Sequence, residues 1–475
     1  MKGINFIFSL ILMISLIILT YYFKNMLLLN NIFILIGICI YTLICYLFII
    51  GLYRLRNKLF KTIIIILMFI SLIINSIGIY YLGVTDKFIK KFDNEIIEYE
   101  HYYLFSLKNN NINNIEDLKD KNIGVTESNK DKISKYIDVK VNSKVYSNIT
   151  DLITSLYVEE LDVVLVNDIE KYVWQEYDDE FYNKIKLIKS FKKKKSNKTN
   201  SNINNVSINT EDSFIIYISG IDNNGTISTI GRSDVNIVVT VNPKTKQILL
   251  TSIPRDYYVQ LHGTTGIRDK LTHAGIYGID MSVNTIEDIL GIDINYYAKV
   301  NFNTVTDLIN MVGGVDIYSQ IALRHCGVNA GNNHLDGKKA LCFARERKAY
   351  VGGDRQRGVN QEIVIEALIN KISTSKDLLL KYNDVLNIVN KNLNTNIGSD
   401  FIKQMVGFQL DKMPTWNVRF LNLDGYGRSE YTYSGGNMVL YVMEPNYDTV
   451  NNAKRAINDV LNDKLFSEMN YTFTK

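Results

Sequence analysis

Several chemistries lack their residues in this sequence. Five histidines are scattered along 475 residues and no G-x-S-x-G occurs, so no serine–histidine–aspartate triad can be drawn. Neither a Walker loop nor G-x-G-x-x-G is present, which removes the common nucleotide cradles. Of four cysteines, Cys326 and Cys342 lie near His325 and His334, but the spacing fits no common zinc pattern. A net charge of +4 is small for this length, and no basic helix–turn–helix is visible, so nucleic acid is not an expected partner.

Long apolar runs are present instead. Ile4–Phe23, Ile32–Leu52 and Thr62–Leu82 each hold enough residues to cross a hydrocarbon core of ~30 Å as a helix. The first is too long for the apolar part of a signal peptide, and no small-residue cleavage site follows it. The loop joining the second and third carries Arg54, Arg56, Lys58 and Lys61 and no acid, which places it in the cytoplasm. Three crossings then put everything after Leu82 outside. There an oxidising environment permits, without requiring, a Cys326–Cys342 disulfide. Cys39 and Cys45 lie in the second run and read as small apolar packing.

The expected organisation is α/β, with a three-helix membrane anchor over residues 1–83 and a small α/β accessory domain over 84–190. A linker follows at 191–212, then a larger α/β domain at 213–385 with a central mixed sheet flanked by helices, and a C-terminal extension packed on it at 386–475. In the accessory domain, strands Asn122–Val125, Asp162–Val166 and Lys184–Ser190 alternate with helical Ile149–Leu161 and Ile169–Gln175. This alternation predicts a parallel sheet with crossover helices. The pair LKDKNIGV and LDVVLVND resembles one lobe of the periplasmic solute-binding fold, although a two-lobed binder does not fit in about a hundred residues. Phe191–Thr210, rich in Lys, Asn and Ser, has the composition of a linker.

Chemistry concentrates from Ser213 onward. Three apolar, β-branched runs, Phe214–Ile221, Val235–Val241 and Gln247–Ile253, read as strands buried on both faces. Polar residues stand at their ends: Asp222 after the first, Arg232 and Asp234 before the second, Arg255 and Asp256 after the third. Further along, Arg345, Glu346 and Arg347 precede a Gly-rich turn with Asp354, Arg355 and Arg357, and Gln361 opens a helix running to Ile372. Tyr426–Asn437, rich in Gly, Ser and Tyr, reads as loop. Guanidinium forks bind phosphate bidentately, and gathered arginines need an anion to neutralise them. Each arginine alone reads more readily as a partner for a surface carboxylate, with Glu346 and Asp354 at hand. Two carboxylates beside a phosphate site suit a hard divalent cation; either alone also suits a turn cap.

The motifs GID…GRSDVNIVVTVNP, LLTSIPRD, DKLTHA, YYAKVNF, MVGGVDI, LDG…AL-x-FARER and GGDRQRG-x-NQ follow one another between Ser213 and Ile372. In this order they resemble the LytR-CpsA-Psr (LCP) family of cell-envelope proteins. Three membrane runs and an extra exported domain resemble its capsule-associated, CpsA-like branch. The resemblance implies a phosphotransferase that moves a glycopolymer from an undecaprenyl-pyrophosphate carrier onto peptidoglycan, usually at the C6 hydroxyl of N-acetylmuramic acid. It implies Mg²⁺ or Mn²⁺ on Asp222 and Asp234. It implies a pyrophosphate clamp of Arg232, Arg255, Lys270, Arg345, Arg347, Arg357 and Gln361, with Asp234, Arg255, Arg345 and Arg347 closest to the chemistry. Many members carry Arg where this chain has Asn360, which makes the clamp one charge weaker unless Arg355 substitutes. The family's polyprenyl tail takes an apolar slot between sheet and helices; the apolar strands here suit such a slot or an ordinary core.

The expected partners are therefore a polyprenyl-pyrophosphate-linked glycan, a peptidoglycan acceptor and the membrane. A hydrolase that releases polymer from its carrier remains an alternative, as does an envelope-linked regulator, the family's "transcriptional attenuator" label. Topology comes first. A reporter fused after Leu82 is expected to be active outside the cell and one fused at Arg56 inside; the reverse pattern would remove the exported reading.

Overall fold

The computed structural model describes residues 2–26, 32–90, 99–178, 180–194, 211–221, 231–350, 354–374, 393–412 and 414–473. Two compact units divide the chain. The first holds residues 1–95, 207–210 and 397–415; the second holds 96–206, 211–396 and 416–475.

In the first unit, helices α1 (Lys2–Asn25), α2 (Ile32–Arg54) and α3 (Lys58–Ile89) are each long and apolar enough to cross a membrane. The third runs seven residues past the expected Leu82. Asn75 on α3 is fully buried among them: it donates to Ser15 Oγ on α1 at 2.8 Å and accepts from the Tyr41 hydroxyl of α2 at 3.0 Å. In hydrocarbon such a polar contact joins helices that gain nothing from hydrophobic burial against each other.

The second unit opens with strand β1 (Tyr99–Leu107) and β2 (Asn122–Thr126), then α4 (Lys130–Tyr136), β3 (Asn142–Tyr146), α5 (Ile149–Tyr157), β4 (Val163–Asn167), α6 (Asp168–Tyr177), α7 (Phe181–Lys184) and β5 (Ile185–Lys194). The sheet order is β3-β2-β4-β1-β5. Parallel pairing was expected and holds for β2 with β3 and β4, but β1 and β5 are antiparallel additions. Their partners lie far apart in sequence, so no local pattern marks them. The expected linker also begins inside β5, because Phe191 to Lys194 pair with Tyr99 to Tyr102 of β1. Asn167 caps α6 by accepting from Glu170 N, and Glu170 returns a bond to the cap backbone, a capping box that fixes where the helix starts.

The larger part follows with β6 (Phe214–Ile221), β7 (Ser233–Asn242), β8 (Gln247–Ser252), the short β9 (Tyr258–Val259) and β10 (Asp269–Lys270), α8 (Leu271–Tyr277) and α9 (Ile279–Leu290). Then come β11 (Tyr296–Asn301), α10 (Phe302–Met311), β12 (Val315–Ser319), β13 (Gly331–Leu335), α11 (Gly337–Arg345) and α12 (Asp354–Thr374). The chain ends with β14 (Leu393–Thr395), α13 (Ser399–Lys412, in the first unit), β15 (Asn417–Asn422), β16 (Gly425–Tyr431), β17 (Val439–Pro445) and α14 (Tyr447–Leu461).

The central sheet has the order β14-β11-β6-β7-β8-β15 and is mixed. The three runs expected as strands are its core, and helices cover both faces. On one face Tyr217, Val238 and Leu249 pack against Val283 and Ile286 of α9 and Ala456 and Ile457 of α14. On the other, Ile237, Leu250 and Phe420 meet Ile365 of α12. Residues 386–475 are more than a packed extension: β14 and β15 close the two edges of this sheet. Tyr426–Tyr431 is strand, not loop, because it pairs residue for residue with β17.

Cys326 and Cys342 form a disulfide with Cα atoms 5.5 Å apart, 16 residues apart in sequence. It fastens a short turn to α11, the helix that ends in Arg345. A loop of this length stabilises by about 3 kcal/mol when closed in the unfolded chain. Replacing both cysteines by alanine is therefore expected to lower the denaturation midpoint clearly, with wild type in reductant behaving like the variant. An unchanged midpoint in both would show that the bridge adds nothing.

Candidate functional site

The site grows from the start of β7. Ser233 is completely buried, and its hydroxyl stands 2.9 Å from Tyr217 OH, 2.8 Å from Ser219 Oγ and 2.8 Å from Asn236 Oδ1. This buried polar network is satisfied within itself, so it fixes the strand end rather than loosening it. Gly275 of α8 lies so close that a Cβ there would sit 2.6 Å from Gly231 O and 2.8 Å from Ser233 N. The helix thus rests directly on the segment carrying Arg232.

Asp234, the next residue, is buried and accepts from Arg255 Nη1 at 2.6 Å. Arg255 leaves the end of β8, and its Nε stands 3.6 Å from Asp256 Oδ2. One pocket is lined by Asp234, Arg255, Arg357 and Gln361 together with Ser252 and Asn422. Four sequence-predicted site residues, from β7, the turn after β8, and α12, therefore meet in one place.

The others fall elsewhere. Asp222 and the Gly-rich loop after it lie outside the described residues. Arg345 and Arg347 are exposed and do not line that pocket; buried Glu346 between them takes His325 Nε2 at 2.5 Å. Helix α12 begins at Asp354, so Arg357 is helical and Gln361 sits two turns inside rather than at the helix start. The apolar period that located the helix says nothing about where its polar first turns begin. Asn360 is buried and donates to Phe343 O at 3.0 Å, so it joins α12 to α11 rather than facing an anion. His325 lies with Cys326 and Cys342, but both sulfurs are bonded to each other, and His334 pairs with Asp316 at 2.6 Å.

Arg232 and Lys270 belong to a second charged group. Lys270 Nζ is buried between Asp256 Oδ1, at 2.7 Å, and Glu176 Oε1 of α6. Glu176 Oε2 also lies 3.0 Å from His273 Nε2 and 3.6 Å from Arg232 Nη1. His273 Nδ1 stands 2.6 Å from Asp269 Oδ1, and Ser434 N donates to Asp269 Oδ2 at 3.0 Å. Burial alone pushes the Glu176 carboxyl up, but His273 and Lys270 together hold it well below the carboxylate range. Burial likewise pulls the His273 imidazole down, and the Asp269 and Glu176 carboxylates outweigh it, raising it to about 9. Sequence reading placed Asp256 among the polar strand ends without giving it a role, and missed Glu176, His273 and Asp269. The i, i+4 spacing of Asp269 and His273 was a usable signal; Glu176 had none. Glu362, beside Gln361, was missed too: burial raises its carboxyl to about 8, against one hydrogen bond from Asn422.

A family model described as the LytR_cpsA_psr family matches residues 181–456, and the chain belongs to that family. It is 38% identical over 209 residues to the polyisoprenyl-teichoic acid–peptidoglycan teichoic acid transferase TagU of Bacillus mycoides, covering 43% of this chain and 67% of that protein. The Bacillus cereus protein of the same name is 37% identical over 209 residues, with 43% and 67% covered. Among solved structures, B. subtilis TagV is 30% identical, with a TM-score of 0.44, covering 54% of this chain and 99% of that one.

The charged group predicts a pH dependence. His273 holds its proton more tightly folded, at about 9, than an ordinary histidine at 6.5. Its stabilising contribution is thus fully present below about pH 6.5 and is lost as pH rises through about 9. Thermal unfolding is expected to show stability falling across that window by up to about 3 kcal/mol, and His273→Gln is expected to flatten the fall. An equally steep fall in the variant would assign the titration to another group.

Proposed function

We propose that this chain is a membrane-anchored, extracytoplasmic transferase that moves a phosphate-linked glycopolymer from a polyprenyl-pyrophosphate carrier to peptidoglycan. The observation that carries this reading is the meeting of Asp234, Arg255, Arg357 and Gln361 in one pocket of a chain belonging to this family. The three apolar helices and the names of the TagU relatives agree with it.

Arg255 and Arg357 supply fixed forks for phosphate oxygens, and the Gln361 amide adds a neutral donor. An acceptor hydroxyl oxygen attacks the phosphorus bearing the glycan, the anhydride bond breaks, and polyprenyl phosphate departs while the hydroxyl loses its proton. Negative charge grows on the departing phosphate, where preorganised guanidiniums stabilise it most. Asp234 is a buried carboxylate at the pocket wall, the ligand type a hard cation takes, so this residue would hold Mg²⁺ or Mn²⁺ there. Such an ion supplies charge neutralisation at the phosphate oxygens.

Arg357 tests the pocket from the α12 side; removal of Arg255, paired with two buried carboxylates, also costs stability. Arg357→Ala is expected to weaken carrier-lipid binding tenfold or more, as the loss of charge-assisted bonds of about 1.5–3 kcal/mol requires, with the melting temperature measured alongside. Asp234→Asn is expected to abolish transfer. The assay combines full-length protein, an undecaprenyl-pyrophosphate oligosaccharide, Mg²⁺ and a peptidoglycan fragment. Free oligosaccharide phosphate despite excess acceptor would indicate a hydrolase, and lipid binding without turnover a regulator.

A further inference from the structure

Glu176 lies in the first α/β part of the second unit, yet its carboxylate ends among the cations of the larger part. Its side chain is 18% exposed and that of Lys270 is 4% exposed, so their contact is not a surface ion pair. Taking two charges out of water is costly unless each is held by several partners. Lys270 meets that condition only with both Asp256 and Glu176. Asp256 divides its oxygens in turn, Oδ1 to Lys270 and Oδ2 toward Arg255 Nε at 3.6 Å. Arg255 then carries its other edge to Asp234 at 2.6 Å.

The reach of Glu176 is fixed by apolar packing as well as by charge. Met438 and Leu440, at the start of β17, are buried in the same cluster as Leu152 and Trp174 of the first α/β part. Trp174 stands two residues before Glu176 on α6, and α6 itself contacts α8, the helix of His273. The carboxylate is therefore delivered from a packed helix and not from a loose arm.

We propose that Glu176 is a positioning residue for the phosphate-binding pocket, acting through Lys270 and Asp256 to set the Arg255 guanidinium. This rests on the pyrophosphate reading of that pocket. It gives the first α/β part a role in the transfer site without touching substrate. It also explains why Lys270, expected in the clamp, is buried: Lys270 holds Asp256 in place. Glutamine at 176 keeps the shape and loses the charge, which leaves Lys270 and His273 each with one carboxylate and lets Asp256 shift toward Lys270.

The test measures the dissociation constant of inorganic pyrophosphate by calorimetry on full-length protein in detergent. The variants are Glu176→Gln, Glu176→Asp, Asp256→Asn and the Glu176→Gln/Asp256→Asn double variant, each checked by thermal unfolding. Glu176→Gln is expected to weaken binding about tenfold, as expected for one misplaced charge-assisted fork. Glu176→Asp is expected to recover most of the loss, and in the Asp256→Asn background the glutamine change is expected to have no further effect, since both act along one path. Unchanged binding, or additive losses in the double variant, would overturn the proposal. Tighter binding in Glu176→Gln would also overturn it, by making Glu176 a competitor of the anion. Wild type that binds no pyrophosphate would instead overturn the reading of the pocket itself, and is distinguished by failing before any variant is compared.

Discussion

Charge compensation in a poorly solvated place governs the working half of this molecule. Asp234, Arg255, Asp256, Lys270, Glu176, His273 and Asp269 alternate in sign from one neighbour to the next. Lone charges at such burial would shift their protonation or draw in water. Bound in series they compensate one another's charge, and they hold each other still. A guanidinium hydrogen-bonded to Asp234 and 3.6 Å from the Asp256 carboxylate is restrained in a way that a flexible surface arginine is not.

The sheet serves this arrangement. Strands β6, β7 and β8 bury apolar side chains on both faces, so their polar ends gather at one edge of the sheet, where α/β folds commonly place ligands. The Tyr217–Ser219–Ser233–Asn236 network sits directly beneath that edge and sets the level at which β7 turns polar. Asn360 does comparable work between α11 and α12. What looked like a missing clamp charge is a buried amide joining two helices.

The three apolar helices impose their own economy. Their outward faces are exposed isoleucine and leucine, and the contacts among them include the Asn75 hydrogen bonds to Ser15 and Tyr41. An amide at the centre of three apolar helices is costly in hydrocarbon unless satisfied, so it fixes their register more firmly than greasy packing does. Basic residues at the α2–α3 turn fix the orientation. The family domain then follows on the far side of that membrane.

Local sequence was enough for the apolar runs, the strands β6 to β8, the helix within 361–372 and the motif order, because each is a short-range pattern of burial or turn chemistry. The GRSD and PRD segments also showed where charge would cluster, since strand ends are where polar residues of a buried strand must go. Pairing across long separations was decided only by the tertiary structure: β5 on β1, β14 and β15 at the sheet edges, β16 on β17. So was the sorting of the arginines, Arg255 and Arg357 into a pocket and Arg345 and Arg347 outside it. Glu176 shows the reason most clearly. Nothing within its own helix distinguishes it from any exposed glutamate, and only the packing of α6 against a segment 94 residues further on brings it to Lys270.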